Sequence, residues 1–159
     1  MVDIRKIEQQ DNATLSHLIK KVFEEFGIAR EGTVYTDPAT DHLYELFDRP
    51  DAECWVAEEN GVLLGSCGVY PTDGLPAGCA ELVKLYLSPE ARGKGVGSIL
   101  IRNAIDRARQ LGYNLLYLET FDELAKAVSL YYRLGFESID RPMGNSGHYA
   151  TTIWMTKEL

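Results

Sequence analysis

Leu82 to Gly112 constrains this chain more than any other stretch, because a run of β-forming residues, a glycine-punctuated loop and an amphipathic helix follow one another without a break. Leu82-Val83-Lys84-Leu85-Tyr86-Leu87 reads as a strand, and Leu100, Ala104, Ala108 and Leu111, with Ile101 and Ile105 alongside, form an apolar helical stripe. Between them, Arg92-Gly93-Lys94-Gly95-Val96-Gly97 delivers glycines at alternate positions onto a helix N-terminus. Such a terminus carries unpaired N–H groups and the positive end of the helix dipole, and glycines let an anion reach that backbone. The pattern points to a phosphate-bearing ligand.

The kind of phosphate ligand is narrowed by spacing. A P-loop requires Gly-x-x-x-x-Gly-Lys-Ser/Thr, which is not present. A dinucleotide fingerprint is a closer rival, since strand, glycines and helix come in the right order and Glu119 follows about twenty residues on. Its glycines, however, are spaced Gly-x-Gly-x-x-Gly, and its first glycine follows almost directly on the strand. Here the bridge Ser88-Pro89-Glu90-Ala91-Arg92 intervenes.

The bridge, its arginine and the glycines resemble the Arg/Gln-x-x-Gly-x-Gly/Ala signature of the Gcn5-related N-acetyltransferases, matched by Arg92, Gly95 and Gly97. A second landmark of that family is matched by Ala127-x-x-Leu130-Tyr131-x-x-x-Gly135-Phe136. The resemblance implies an α/β domain over residues 1–159, with a mixed central sheet of about seven strands flanked by helices. It also implies that two central parallel strands, Leu82 to Leu87 and Asn114 to Glu119, splay apart to admit acetyl-CoA. Backbone N–H groups from Gly93, Lys94, Gly95, Val96, Gly97 and Ser98 would hold the pyrophosphate, with Arg92 adding charge. Leu85, Tyr86 and Leu87 would pair through their backbones with the pantetheine amides, and an N–H near Leu87 would polarise the carbonyl.

Acetyl transfer to an amine also needs a proton acceptor and a proton donor. Tyr131 matches the family tyrosine and lies on the helical stripe Leu124, Ala127, Val128, Leu134; a phenol near pKa 10 can protonate a thiolate whose conjugate acid lies near 8 to 9. Glu81, where many relatives carry a glutamate, is the expected general base, with Glu119 or direct attack by a neutral amine as alternatives. A glutamate at its ordinary pKa near 4.3 is a poor base at neutral pH, so burial would have to raise it. Many relatives carry an asparagine seven positions before the tyrosine, and here that position is Leu124. His17, His42 and His148 are scattered, so transfer within a ternary complex is favoured over a covalent enzyme intermediate. The rival readings are an acyl-CoA-binding domain of the same fold without turnover, and a dinucleotide-binding protein.

Composition adds bounds. With 159 residues and a formal net charge of -8, the chain suits one domain and argues against a general nucleic-acid surface. Between residues 31 and 53, Glu31, Asp37, Asp41, Glu45, Asp48, Asp51 and Glu53 face Arg49 alone, which reads as a solvated acidic face or, less simply, as attraction for a cationic amine. Cys54, Cys67 and Cys79 form no Cys-x-x-Cys pair, so neither a disulfide framework nor a metal site is expected. No apolar run approaches the roughly 20 residues that span a bilayer, and a cytoplasmic protein is expected. The acceptor, a small-molecule or peptide amine, is not encoded legibly, and oligomeric state is silent, although the fold commonly forms homodimers.

Along the chain, Val2 to Ile7 reads as a first strand. Asp11 or Asn12 caps a helix ending at Gly27, and Thr40 or Asp41 caps a second helix bearing Leu43, Leu46 and Phe47. Asn60-Gly61 joins two strands in a type I′ hairpin. After a loop from Pro71 to Gly78 and the organising strand and helix, a strand is expected at Asn114 to Glu119 and a helix at Asp122 to Leu134. Further strands are expected at Phe136 to Ile139 and His148 to Thr156.

Overall fold

A computed structural model describes residues 1–159. The hairpin forms as its turn chemistry requires: Asn60 and Gly61 take φ of 51° and 78°, and they join β2 (Glu53–Glu59) to β3 (Val62–Tyr70). Around that hairpin grows one mixed sheet with β1 (Asp3–Lys6), β4 (Cys79–Leu87), β5 (Leu115–Thr120), β6 (Glu137–Ile139) and β7 (Ile153–Glu158), in spatial order β1-β2-β3-β4-β5-β7-β6. All neighbours are antiparallel except β4 and β5, which run parallel.

Apolar residues on both faces of the central strands demand cover on both sides, and two cores result. On one face, α3 (Val96–Gln110) buries Leu100, Ile101, Ala104, Ile105 and Ala108 against Ala57, Leu82 and Leu116, with Tyr131 of α4 (Ala125–Arg133) and Phe136 in the same cluster. The expected stripe is thus the buried one, except that Leu111 ends the helix half-buried. On the other face, α1 (Asn12–Glu25) and the single turn α2 (Leu43–Leu46) bury Leu15, Ile19, Phe23 and Leu43 against Cys54, Val56 and Phe121.

Several boundaries differ from the sequence expectation, each for a local reason. The second helix is preceded by a 3-10 turn at Pro38–Asp41, whose cap is Asp37: its side chain accepts from the Ala39 N–H, and neither Thr40 nor Asp41 caps α2. Thr40 is buried instead, donating to the Val34 carbonyl at 2.7 Å. Asp11 does not cap α1 forward; its carboxylate accepts from the Glu8 N–H and from Arg5. The fourth helix starts only at Ala125, because Leu124 holds a non-helical backbone. The last strand starts at Ile153, so His148 to Thr152 lies in the approach to it.

Candidate functional site

The parallel pairing of β4 with β5 covers only Cys79, Ala80 and Glu81 against Leu115, Leu116 and Tyr117. Beyond Glu81 the strands part. Leu82 to Leu87 keeps its antiparallel partner β3 on one side and has no strand on the other. An open strand edge in a sheet interior offers N–H and C=O groups to an extended ligand. The mouth of the gap is lined by β4 residues from Glu81 to Tyr86, by Glu119 and Thr120 at the end of β5 and Phe121 just beyond it, and by Leu124, Ala127 and Tyr131.

At the wide end of the gap stands the glycine corner. Gly93 and Gly95 take φ of 75° and 79°, and a Cβ at either would meet nothing within 4 Å, so these glycines serve the turn and leave the space above it clear. Gly97 differs: a Cβ there would sit 3.2 Å from Leu130 and 3.3 Å from Leu87, so its glycine permits close packing of α3 against α4 and β4. The first amide of this region to donate along the helix is Ile99, to the Gly95 carbonyl. The N–H groups from Gly93 through Ser98 donate to no acceptor within the chain, which is the donor set that a phosphate at a helix start requires. Arg92 is already engaged: it makes a bidentate pair with Glu25 of α1, donates to the Leu87 carbonyl at 3.2 Å, and stands 5.1 Å over the Phe26 ring. Its guanidinium holds the Glu25 carboxyl below the ordinary range.

The narrow end carries the titratable groups. Glu81 is the last residue of β4 to pair with β5 and is 4% exposed. Burial pushes its carboxyl up to about 7, with the nearby Glu119 charge adding and the hydrogen bond from Thr72 Oγ1, at 2.7 Å, opposing. Glu119 is differently placed: its oxygens accept from Tyr117 Oη and Ser146 Oγ, both at 2.6 Å. Each Glu119 oxygen thus has a side-chain donor, whereas Glu81 has one donor on a single oxygen. Tyr131 is buried, its ring 5.7 Å from Phe136, and burial raises its phenol well above the ordinary value. Leu124 lines the same gap, so no side-chain amide stands at that place.

Four functional-site residues were not singled out from sequence. Lys84 reads as one polar residue in a strand, yet it is 7% exposed and has φ of 58° at a β-bulge. A lone lysine inside a central strand, where both faces are covered, was the available signal. Asp37 and His148 are joined at 2.7 Å across the chain, and nothing local could pair them. Thr72 sits in a loop legible only as a loop. The cysteines are buried free thiols, with burial pushing Cys54 up to about 12 and Cys79 up to about 11, so none presents a nucleophilic thiolate. No cluster of His, Cys, Asp and Glu could hold a metal ion, and no helix is long and apolar enough to cross a membrane.

Known proteins carry the same architecture. The description "Acetyltransferase (GNAT) family" matches residues 15–136. Escherichia coli (strain K12) has a relative called uncharacterized N-acetyltransferase YjgM, 37% identical over 157 residues that cover 98% of this chain and 94% of that protein. An IAA acetyltransferase from Azospirillum brasilense is 33% identical, covering 76% of this chain and 78% of the other. Among solved structures, a GNAT-family acetyltransferase from Staphylococcus aureus superposes with a TM-score of 0.86 at 19% identity, over 99% of both chains. The Salmonella typhimurium putative acetyltransferase yncA, solved with acetyl-CoA, gives 0.76 at 21% identity over 99% of this chain and 94% of that one. The dinucleotide alternative falls away, and the chain belongs to the GNAT family of acetyltransferases.

Proposed function

We propose that this N-acetyltransferase works as one domain over residues 1–159, with Glu81 receiving the acceptor's proton and Tyr131 supplying the proton that leaves with the thiol. The observation that carries the reading is the pair of environments lining one gap: a carboxyl pushed up to about 7 at Glu81, and a phenol held protonated by burial at Tyr131. Groups whose surroundings drive them apart in this way suit base and acid roles in one reaction.

The residues present fit acetyl-CoA. The unpaired N–H groups from Gly93 to Ser98 suit its pyrophosphate, and the open edge of Leu85, Tyr86 and Leu87 suits its pantetheine amides. When bound, acetyl-CoA supplies a thioester whose C–S bond breaks as the new C–N bond forms. A backbone N–H on the splayed part of β4, near Leu87, polarises the carbonyl oxygen. Glu81 takes the proton from the attacking primary amine, directly or through water, and Tyr131 gives its proton to the departing sulfur. With the cysteines buried and protonated, no thiolate is placed to carry the acetyl group, which supports direct attack within a ternary complex. Arg92 contributes positive charge at the diphosphate while bracing α1 against the loop. The absence of a membrane-spanning helix and of any disulfide is consistent with a cytoplasmic setting, and a homodimer accords with the habits of the fold.

The test is thiol release from acetyl-CoA across a panel of primary amines. Turnover in the wild type that is lost in Glu81→Gln supports the reading; wild-type rates in that variant would remove Glu81 from the mechanism.

A further inference from the structure

Beside the gap lies a second cavity of about 210 Å³, lined by Asp37 and Arg49 from the first half of the chain, Tyr70 and Glu81 at the β3–β4 connection, Lys84 and His148. Glu81 belongs to both spaces, so this cavity is where an acceptor amine would lie. The assignment that follows rests on the acetyl-transfer reading above.

Lys84 is the residue that calls for an explanation. Residues three apart on a regular strand point to opposite faces, which would turn Lys84 away from Glu81. The register slip between Ser66 and Gly68, with Lys84 at φ 58°, breaks that alternation, and both side chains line the same cavity. The bulge is fastened by Ser66 Oγ, which donates to the Lys84 carbonyl at 2.6 Å. A left-handed backbone at a lysine is strained, and a buried ammonium is costly. The chain sustains both, yet the Lys84 ammonium makes no hydrogen bond and no ion pair within 4 Å.

The carboxylates nearby are already occupied. Asp37 accepts from His148 Nε2 at 2.7 Å and from the Ala39 N–H at 2.9 Å, and Glu81 accepts from Thr72. Arg49, at the rim, is clamped by Asp51 and donates to Tyr70 Oη at 3.1 Å, so it adds positive field without leaving its place. The cavity therefore offers a base at one point and an unpaired cation at another, both on β4.

We propose that the acceptor is a compact amino acid, whose carboxylate is received by Lys84 while its amine faces Glu81. A bare amine would leave the ammonium with only the fields of Asp37 and Glu81 and no partner in contact; an amino-carboxylate supplies that partner. Lys84 is then a specificity-determining residue and takes no part in bond making.

Matched acceptors test this: phenylalanine against phenylalaninamide, and methionine against methioninamide, each assayed by thiol release from acetyl-CoA with wild type and with Lys84→Met. The wild type is expected to favour the acids in kcat/KM, although the amides carry the larger share of neutral amine. The variant's acid-to-amide ratio is expected to fall by about ten- to a hundredfold, the range for losing one hydrogen bond to a charged group. Binding of CoA to Lys84→Met, by calorimetry, confirms that the variant is folded. Equal use of acids and amides by the wild type, an unchanged ratio in the variant, or an acetyl group found on Lys84 itself by mass spectrometry would each overturn the assignment. CoA binding without thiol release from any acceptor would overturn the transferase reading, and this assignment with it.

Discussion

Thr72 Oγ1 donates a 2.7 Å hydrogen bond to the carboxylate of Glu81 from a loop nine residues before it, and that bond restrains a rise driven by burial and by Glu119. The Thr72 bond and, more weakly, the Lys84 charge favour the charged form; burial and Glu119 disfavour it.

Activity should therefore climb with pH along a limb centred at about 7, as Glu81 loses its proton, when initial rates of thiol release are followed from pH 5.5 to 9. Thr72→Val should carry that limb to higher pH, because the bond it removes is the one lowering the pKa. An unmoved limb would mean that another group titrates.

Glu81→Gln should lower kcat by about a hundred- to ten-thousandfold, the span attached to general acid–base groups. It should also stabilise the fold. The folded pKa lies above the ordinary 4.5, so between there and about 7 the folded chain holds a proton that the unfolded chain releases. Stability then falls as pH rises through this window, by roughly 3 kcal/mol in full. Denaturant melts at pH 8 should show the variant as the more stable protein, with the difference closing toward pH 5.

Tyr131→Phe should reduce kcat about ten- to a thousandfold while leaving the unfolding midpoint nearly unchanged, since the phenol oxygen makes no hydrogen bond within the chain. A matching loss of stability would assign the tyrosine to packing.

Arg92→Ala and Glu25→Gln separate two roles of one guanidinium. If Arg92 serves the diphosphate, its removal should raise the KM for acetyl-CoA severalfold, whereas Glu25→Gln should leave that KM alone or lower it. Equal effects in both variants would make the arginine a brace between α1 and the loop, nothing more.

Gly95→Ala should cost about 1–2 kcal/mol of stability from its left-handed backbone and weaken CoA binding in calorimetry. Gly97→Leu should act through collision with Leu130 and Leu87, lowering stability more than the alanine at position 95 does.

What could be read in the chain was what local rules govern. Asn60-Gly61 fixes its turn by φ alone, and the stripe on α3 follows from helical spacing. Asp37, by contrast, caps a 3-10 turn and also meets His148, a partner 111 residues away, so the second helix was misplaced and the pairing invisible. Lys84 was hidden for a different reason. Strand alternation is a rule about regular backbone, and the bulge suspends it at Lys84, turning its charged side chain to the same side as Glu81. Glu81 was legible as a position, but its raised pKa depends on burial, Thr72 and Glu119, which only the folded arrangement brings together.

The three-residue pairing of Cys79, Ala80 and Glu81 with Leu115, Leu116 and Tyr117 has a mechanical consequence. It is the sole seam between a four-stranded meander, β1 to β4, and a separate ribbon of β5, β7 and β6. The pairs that join these two panels stand 36 residues apart in the chain, against 53 for Ile4 and Ala57 of β1 and β2, so the seam is set apart by having only three stitches and not by a longer loop to close. A molecule lying along the unstitched margin touches both panels at once, and it would work as a clasp that keeps the seam from tearing.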